Sequence, residues 1–163
     1  MALLAEQPTH GWALADKLKP SGEIGSVWSV ARPTVYRSLD TLKEEGLIEV
    51  VRLEPSERGP YREVYRTTRR GRAELKKWLA EPVARLSDIR SVFLLKLVLA
   101  SRAGIDRREM VQAQRAVVAS IVSDLEAKPP PTSDAEYLQI RFRLDSAQAV
   151  LRFLDDLLEA KPI

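Results

Sequence analysis

The chain has no cysteine and a single histidine, His10, in 163 residues. The first absence excludes disulfides, thiolate zinc sites and cysteine nucleophiles. The second excludes a multi-histidine metal site and leaves any Ser/His/Asp scheme dependent on one residue. His10 stands beside Gly11 with no base-and-nucleophile pair recognisable around it, so we read it as a structural hydrogen-bonding residue. The adjacent carboxylates Asp155 and Asp156 would point about 100° apart on a helix, which suits a solvated face rather than a metal site. No catalytic set and no cofactor motif emerges, and we expect neither an enzyme nor a bound cofactor. Long hydrophobic runs are missing as well. The most apolar stretch, 92–100, is interrupted by Lys96, against the roughly 20 residues a spanning helix needs. The apolar stretch 2–5 is too short for a signal peptide and no basic residues precede it. A cytoplasmic protein with no membrane association is the expectation.

What is present is ordinary for a globular chain: 45% hydrophobic and 30% charged residues, with a net charge of +3. That mild excess permits a polyanionic partner without demanding one. Its distribution is uneven. Between Arg58 and Lys77 stand Arg58, Arg62, Arg66, Arg69, Arg70, Arg72, Lys76 and Lys77 against only Glu63 and Glu74. A run of charge is commonly a solvated face. Arginines at the start of a helix, however, sit against the dipole, and that mismatch tilts the reading toward phosphate binding.

The pattern divides into a mixed domain, 1–82, and a helical domain, 83–163. In the first, residues 1–6 end a helix before Pro8, and Thr9 can cap a second helix through about residue 19. A third helix is expected over 31–45, with Pro33 in its first turn, Gly46 just beyond its end, and an apolar stripe of Val35, Leu39 and Leu42. A β-hairpin follows, 47–53 and 61–67, with Pro55 and Gly59-Pro60 at the turn. Thr67 or Thr68 then caps a helix to residue 79. In the second domain, 88–100 is apolar almost all round and should be deeply buried. Asp106 can cap a helix to about residue 128, stopped by three prolines, 129–131. Asp134 can cap the last helix. There Tyr137, Ile140, Leu144, Ala147, Leu151, Leu154 and Leu158 form a heptad seam. Trp12 and Trp78 read as buried packing, with Trp28 in a loop. Phe93, Phe142 and Phe153 read as core or dimer interface.

Three helices, a hairpin and a helix make the order of a winged helix-turn-helix, whose third helix enters the major groove. Opposite its apolar stripe lie Pro33, Arg37, Asp40, Thr41 and Glu44, with Thr34 and Tyr36 at the edges. Arg37 can read guanine bidentately. Thr34 and Tyr36 can bond phosphates, as can Arg58 and Arg62 on the wing. The seam residues Tyr137, Ile140, Leu144, Leu151, Leu154 and Leu158 should join two copies, because a lone helix would leave a large apolar patch.

Ordered segments carry a resemblance. Thr9-His10-Gly11-Trp12-Ala13-Leu14, Arg32-Pro33-Thr34-Val35-Tyr36-Arg37-Ser38-Leu39 and Leu42-Lys43-Glu44-Glu45-Gly46-Leu47-Ile48 are similar to the PadR family of bacterial transcriptional regulators. So are 59–68 with Gly71-Arg72, the run Phe93-Leu94-Leu95-Lys96-Leu97, and 143–158. The resemblance implies a mainly α protein with a small β-hairpin, an N-terminal winged helix-turn-helix and a C-terminal helical dimerisation domain. It adds Arg32 to the DNA-contacting set. It implies a homodimeric repressor of double-stranded DNA, in a family whose members often release DNA on binding a small aromatic or drug-like effector. The rival reading is a protein-interaction module that keeps the winged fold and does not bind DNA.

Overall fold

The computed structural model describes residues 1–56 and 59–160. Its N-terminal part opens with a short helix, α1 (Ala2–Glu6), and a two-residue strand, β1 (Thr9–His10), that leads straight into α2 (Gly11–Leu18). After a loop come α3 (Arg32–Glu44), β2 (Ile48–Ser56), β3 (Gly59–Thr67) and α4 (Arg69–Ala80). The hairpin is antiparallel, with Ile48 opposite Thr67 and Glu54 opposite Arg62. β1 adds to its far edge, Thr9 opposite Tyr65, so the sheet order is β1-β3-β2.

Each element ends for a local reason. Thr9 is not the cap of α2, because the β1–β3 ladder holds it. His10 takes that place, its Nδ1 accepting from the Ala13 amide at 3.2 Å. α3 starts with proline in its first turn and stops at Gly46, whose φ of 68° suits a residue without Cβ. The strands run on through Pro55 and Gly59-Pro60, which therefore lie in the strand ends rather than in a turn. Thr68, not Thr67, caps α4: its hydroxyl accepts from the Gly71 amide and donates to the carbonyl of Gly46. Gly71 lets this junction close. A Cβ there would stand 2.0 Å from the Leu47 carbonyl oxygen, a backbone atom with nowhere to go. Gly71→Ala is expected to destabilise the first unit by about 3 kcal/mol, the upper range for overpacking, read as a lower midpoint in chemical denaturation. An unchanged midpoint would mean the Leu47 backbone yields.

The chain forms two compact units, Met1–Leu79 and Ala80–Ile163. Buried in the first are Leu14, Ile24, Val35, Leu39, Ile48 and Val64. In the second, the apolar stretch expected as one helix over 88–100 is a 3-10 turn (Leu86–Asp88), a π-helical turn (Ile89–Phe93) and α5 (Leu94–Arg102). α6 (Arg108–Glu126) and α7 (Asp134–Glu159) then pack together. They run antiparallel: Arg108 reaches the Leu158 carbonyl, Arg115 pairs with Asp155, and Gln148 meets Glu126. Asp106 accepts from the Arg108 amide just ahead of α6. Ser133, rather than Asp134, caps α7 by accepting from the Glu136 amide.

The core here gathers Ile89, Phe93, Leu97, Met110, Val118 and Leu154. Polar groups inside it are satisfied. Gln114 accepts from the Val83 amide and donates to the Val83 carbonyl, a reciprocal pair that holds the segment before α5. Lys96, only 3% exposed, donates to the Glu81 carbonyl at 2.6 Å. Burial holds its ammonium below the usual lysine range, against a smaller opposing pull from Glu81.

Candidate nucleic-acid interface

The third helix divides as its sequence requires. Val35 and Leu39 are buried, while Arg32, Pro33, Thr34, Tyr36, Arg37, Asp40, Thr41 and Glu44 are exposed. Among the described residues the Arg37 guanidinium has no ion pair and no hydrogen bond. Thr41 donates its hydroxyl back to the Arg37 carbonyl at 3.1 Å, which spends its proton within the helix and leaves its oxygen as an acceptor.

Tyr36 has a second task. A Cβ on Gly11 would stand 2.8 Å from the Tyr36 ring and 3.0 Å from Leu39, so glycine at the start of α2 lets the ring lie against that helix. Arg32 sits over the same ring, 6.0 Å from its centroid. Because Gly11 makes the contact, Trp12 is turned outward and is 50% exposed, not the packed residue expected. Trp28 is exposed as well, and Trp78 is half-buried.

The wing is partly neutralised. Arg66 pairs with Glu49 across the strands at 2.7 Å, Arg52 with Glu54, and Lys43 of α3 with Glu63. Glu63 also accepts from the Tyr65 hydroxyl. That bond chiefly holds the carboxyl below its usual range, while burial first and then Glu63 push the phenol up. Arg62 is exposed at its place on β3. Arg58 lies outside the described residues. Arg70 donates to the Glu45 carbonyl at the end of α3, at 3.0 Å. That bond gives a structural reason for an arginine at the start of α4, where the sequence pointed to phosphate. Arg69, Arg72, Lys76 and Lys77 are exposed. The wing further exposes Leu53 and Tyr61, which charge counting passed over.

The six seam residues lie within one helix and differ in exposure. Leu154 is fully buried in its own unit, Ile140, Leu144, Leu151 and Leu158 are half-buried, and Tyr137 is 52% exposed. Outside that seam, Leu138 and Phe142 are more open, at 58% and 73%. No group of metal-ligating side chains occurs among the described residues, and no helix is long and apolar enough to cross a membrane.

Residues 1–77 match the transcriptional regulator PadR-like family. A probable transcriptional regulator of Mycobacterium tuberculosis is 32% identical over 81 residues, which make up 50% of this chain and 41% of that protein. The match thus spans well under half of that relative's length. Among solved structures, Bacillus subtilis PadR in complex with operator DNA is 23% identical, with 96% of this chain and 93% of that one covered and a TM-score of 0.47. A PadR-like transcriptional regulator from Bacillus cereus is 19% identical, with 97% and 91% covered and a TM-score of 0.40. The family match thus covers 77 of the 163 residues, just under half of this chain, and falls within its first unit.

Proposed function

We propose that the chain is a sequence-specific, double-stranded-DNA-binding transcriptional repressor, acting in the cytoplasm as a homodimer. The observation that carries this reading is Arg37, an exposed guanidinium without a partner among the described residues, on the outer face of a helix whose inner face is buried. An arginine so placed can donate two parallel hydrogen bonds to a guanine edge. Thr34 and Tyr36 flank it as phosphate contacts, with Arg32, Pro33 and Thr41 completing the helix face. Arg62, and Arg58 beyond it, serve the backbone from the wing. The effector class that goes with this reading is a small aromatic or drug-like molecule.

The second unit supplies the dimer. Leu154 is committed to its own core, so the seam read from the sequence serves mainly to seat α7 within the unit. At 100° per residue, Leu138, Phe142, Ala149 and Phe153 fall within about 60° of one another, opposite Ala147 and Leu154. All four are exposed. A soluble monomer avoids such a stripe, and a two-fold partner covers it with its own copy.

Capture of random genomic fragments followed by sequencing tests the reading. A recurrent palindromic sequence is expected, and uniform recovery of all fragments would remove it. In a titration across salt, Arg62→Ala should weaken binding to every duplex alike and flatten the salt slope by about one unit. An unchanged slope would take Arg62 off the backbone.

A further inference from the structure

A concavity in the first unit opens beside the start of α3. It measures about 470 Å³ and is lined chiefly by Trp12, Ala15, Pro20, Val30, Ala31 and Arg32. Its walls are mostly apolar carbon. One side is formed by Trp12, Ala15 and Asp16 of α2, the other by the chain entering α3. Asp16 and Lys19 also line it, and they neutralise each other at 2.5 Å, so Arg32 is the cation at the rim that has no ion pair among the described residues. The Trp12 indole N–H is a donor with no protein acceptor among the described residues. Among the aromatic rings of the described residues, its ring pairs with His10, tilted at 6.2 Å between centroids.

Arg32 connects this concavity to the helix face assigned to DNA. Its guanidinium lies over the Tyr36 ring at 6.0 Å from the centroid, and Tyr36 adjoins Arg37 in the chain. In a helix-turn-helix, the helix before the reader crosses the DNA backbone. We propose that this concavity is a socket for one deoxyribose–phosphate unit of the backbone flanking the groove. The sugar's C–H faces lie on Ala15, Pro20, Val30 and the Trp12 ring. The phosphate oxygens accept from the Trp12 indole N–H and from Arg32. The chemistry matches on both counts, since an apolar wall flanked by the Arg32 guanidinium and the Trp12 indole N–H, with the Asp16 carboxylate already paired to Lys19, suits a sugar that carries an anion. Trp12 is then a positioning residue, contributing affinity and register without reading sequence. The inference rests on the DNA-binding reading above.

Binding is measured with a selected operator and a scrambled duplex, each across a salt series. Trp12→Ala should lower affinity for both duplexes by the same factor, about 10-fold or more, because it loses one charge-assisted hydrogen bond and the ring's contact with the sugar. Its salt slope should not change, because a neutral donor releases no counterion. Arg32→Ala should lower affinity and also flatten the slope by about one unit. Trp12→Phe keeps a ring on the sugar and loses the N–H, so it should fall between. Duplex should alter tryptophan emission in the unaltered protein, and most of that change should vanish in Trp12→Phe. Thermal unfolding of each variant separates lost binding from lost structure, and the phenylalanine variant carries the test if the alanine variant does not fold. Variants at Trp12 that hold both duplexes as tightly as before overturn the socket, as does a loss confined to the operator. If the unaltered protein binds no duplex, the DNA-binding reading fails first, and that is seen before any variant is compared.

Discussion

Arg37→Ala is expected to lose about 5- to 150-fold in affinity for a selected operator while losing much less on a scrambled duplex. A bidentate arginine–guanine pair contributes roughly 1–3 kcal/mol of discrimination, and that range converts to this factor. Two features of the structure make the expectation sharp. Arg37 is exposed and without an ion pair among the described residues, so its removal leaves no uncompensated charge behind. Its carbonyl, which accepts from Thr41, belongs to the backbone and survives the substitution. The thermal midpoint should therefore barely move, as an exposed change typically stays within about 0.5 kcal/mol. Thr34→Ala should behave differently, weakening both duplexes more evenly, because phosphates are alike along any sequence. An Arg37 variant that keeps its full preference for the operator would take α3 out of the reading role. The protein-interaction alternative would then lead.

The parts of this fold that were legible are those whose signal is local and repeated. α3 shows a proline at its start, a three-and-four apolar stripe and a glycine at its end, and each rests on a backbone rule that needs no tertiary partner. The hairpin showed itself by β-branched content. β1 did not, since two residues carry no period, and the edge of β3 gives them their strand character. Capping by His10 has no local signal, because Thr9 is the commoner capping residue and the ladder that removes Thr9 comes from far along the chain. Arg70 shows the limit of charge arithmetic. Seen alone it opposes the dipole of its own helix, but it caps the carbonyl end of another, 25 residues earlier.

The candidate site was legible in the same proportion. The outward face of α3 follows from 100° geometry alone. The exposure of Trp12 does not, because it depends on Gly11 rather than Trp12 meeting Tyr36 and Leu39. In α7 the seam was correctly periodic, yet periodicity marks which residues are apolar and not which surface they meet. The second stripe, with wider spacing and serine and charge between its members, is weaker in sequence and more exposed in the structure.

That second stripe carries the largest expected effect. The double variant L138E/F142E should convert a dimer into a monomer in sedimentation and lower operator affinity by about 100-fold or more. A two-fold interface is isologous, so each copy brings both new carboxylates to the same patch, and four like charges meet where apolar rings did. Separation of the copies removes the second half-site contact, and effective concentration of that kind is worth 10²- to 10⁴-fold. The helix itself should tolerate the change. Both positions are exposed, glutamate is a good helix former, and neither side chain belongs to the core that Leu154 joins. Far-ultraviolet circular dichroism should be unchanged. Leu154→Ala supplies the contrast. It should destabilise the unit by about 2–5 kcal/mol through the cavity it leaves, with the dimer retained under conditions where the chain is folded. A double variant that still sediments as a dimer would place the interface elsewhere in the unit. An unaltered chain that is a folded monomer at micromolar concentration would remove the dimer altogether.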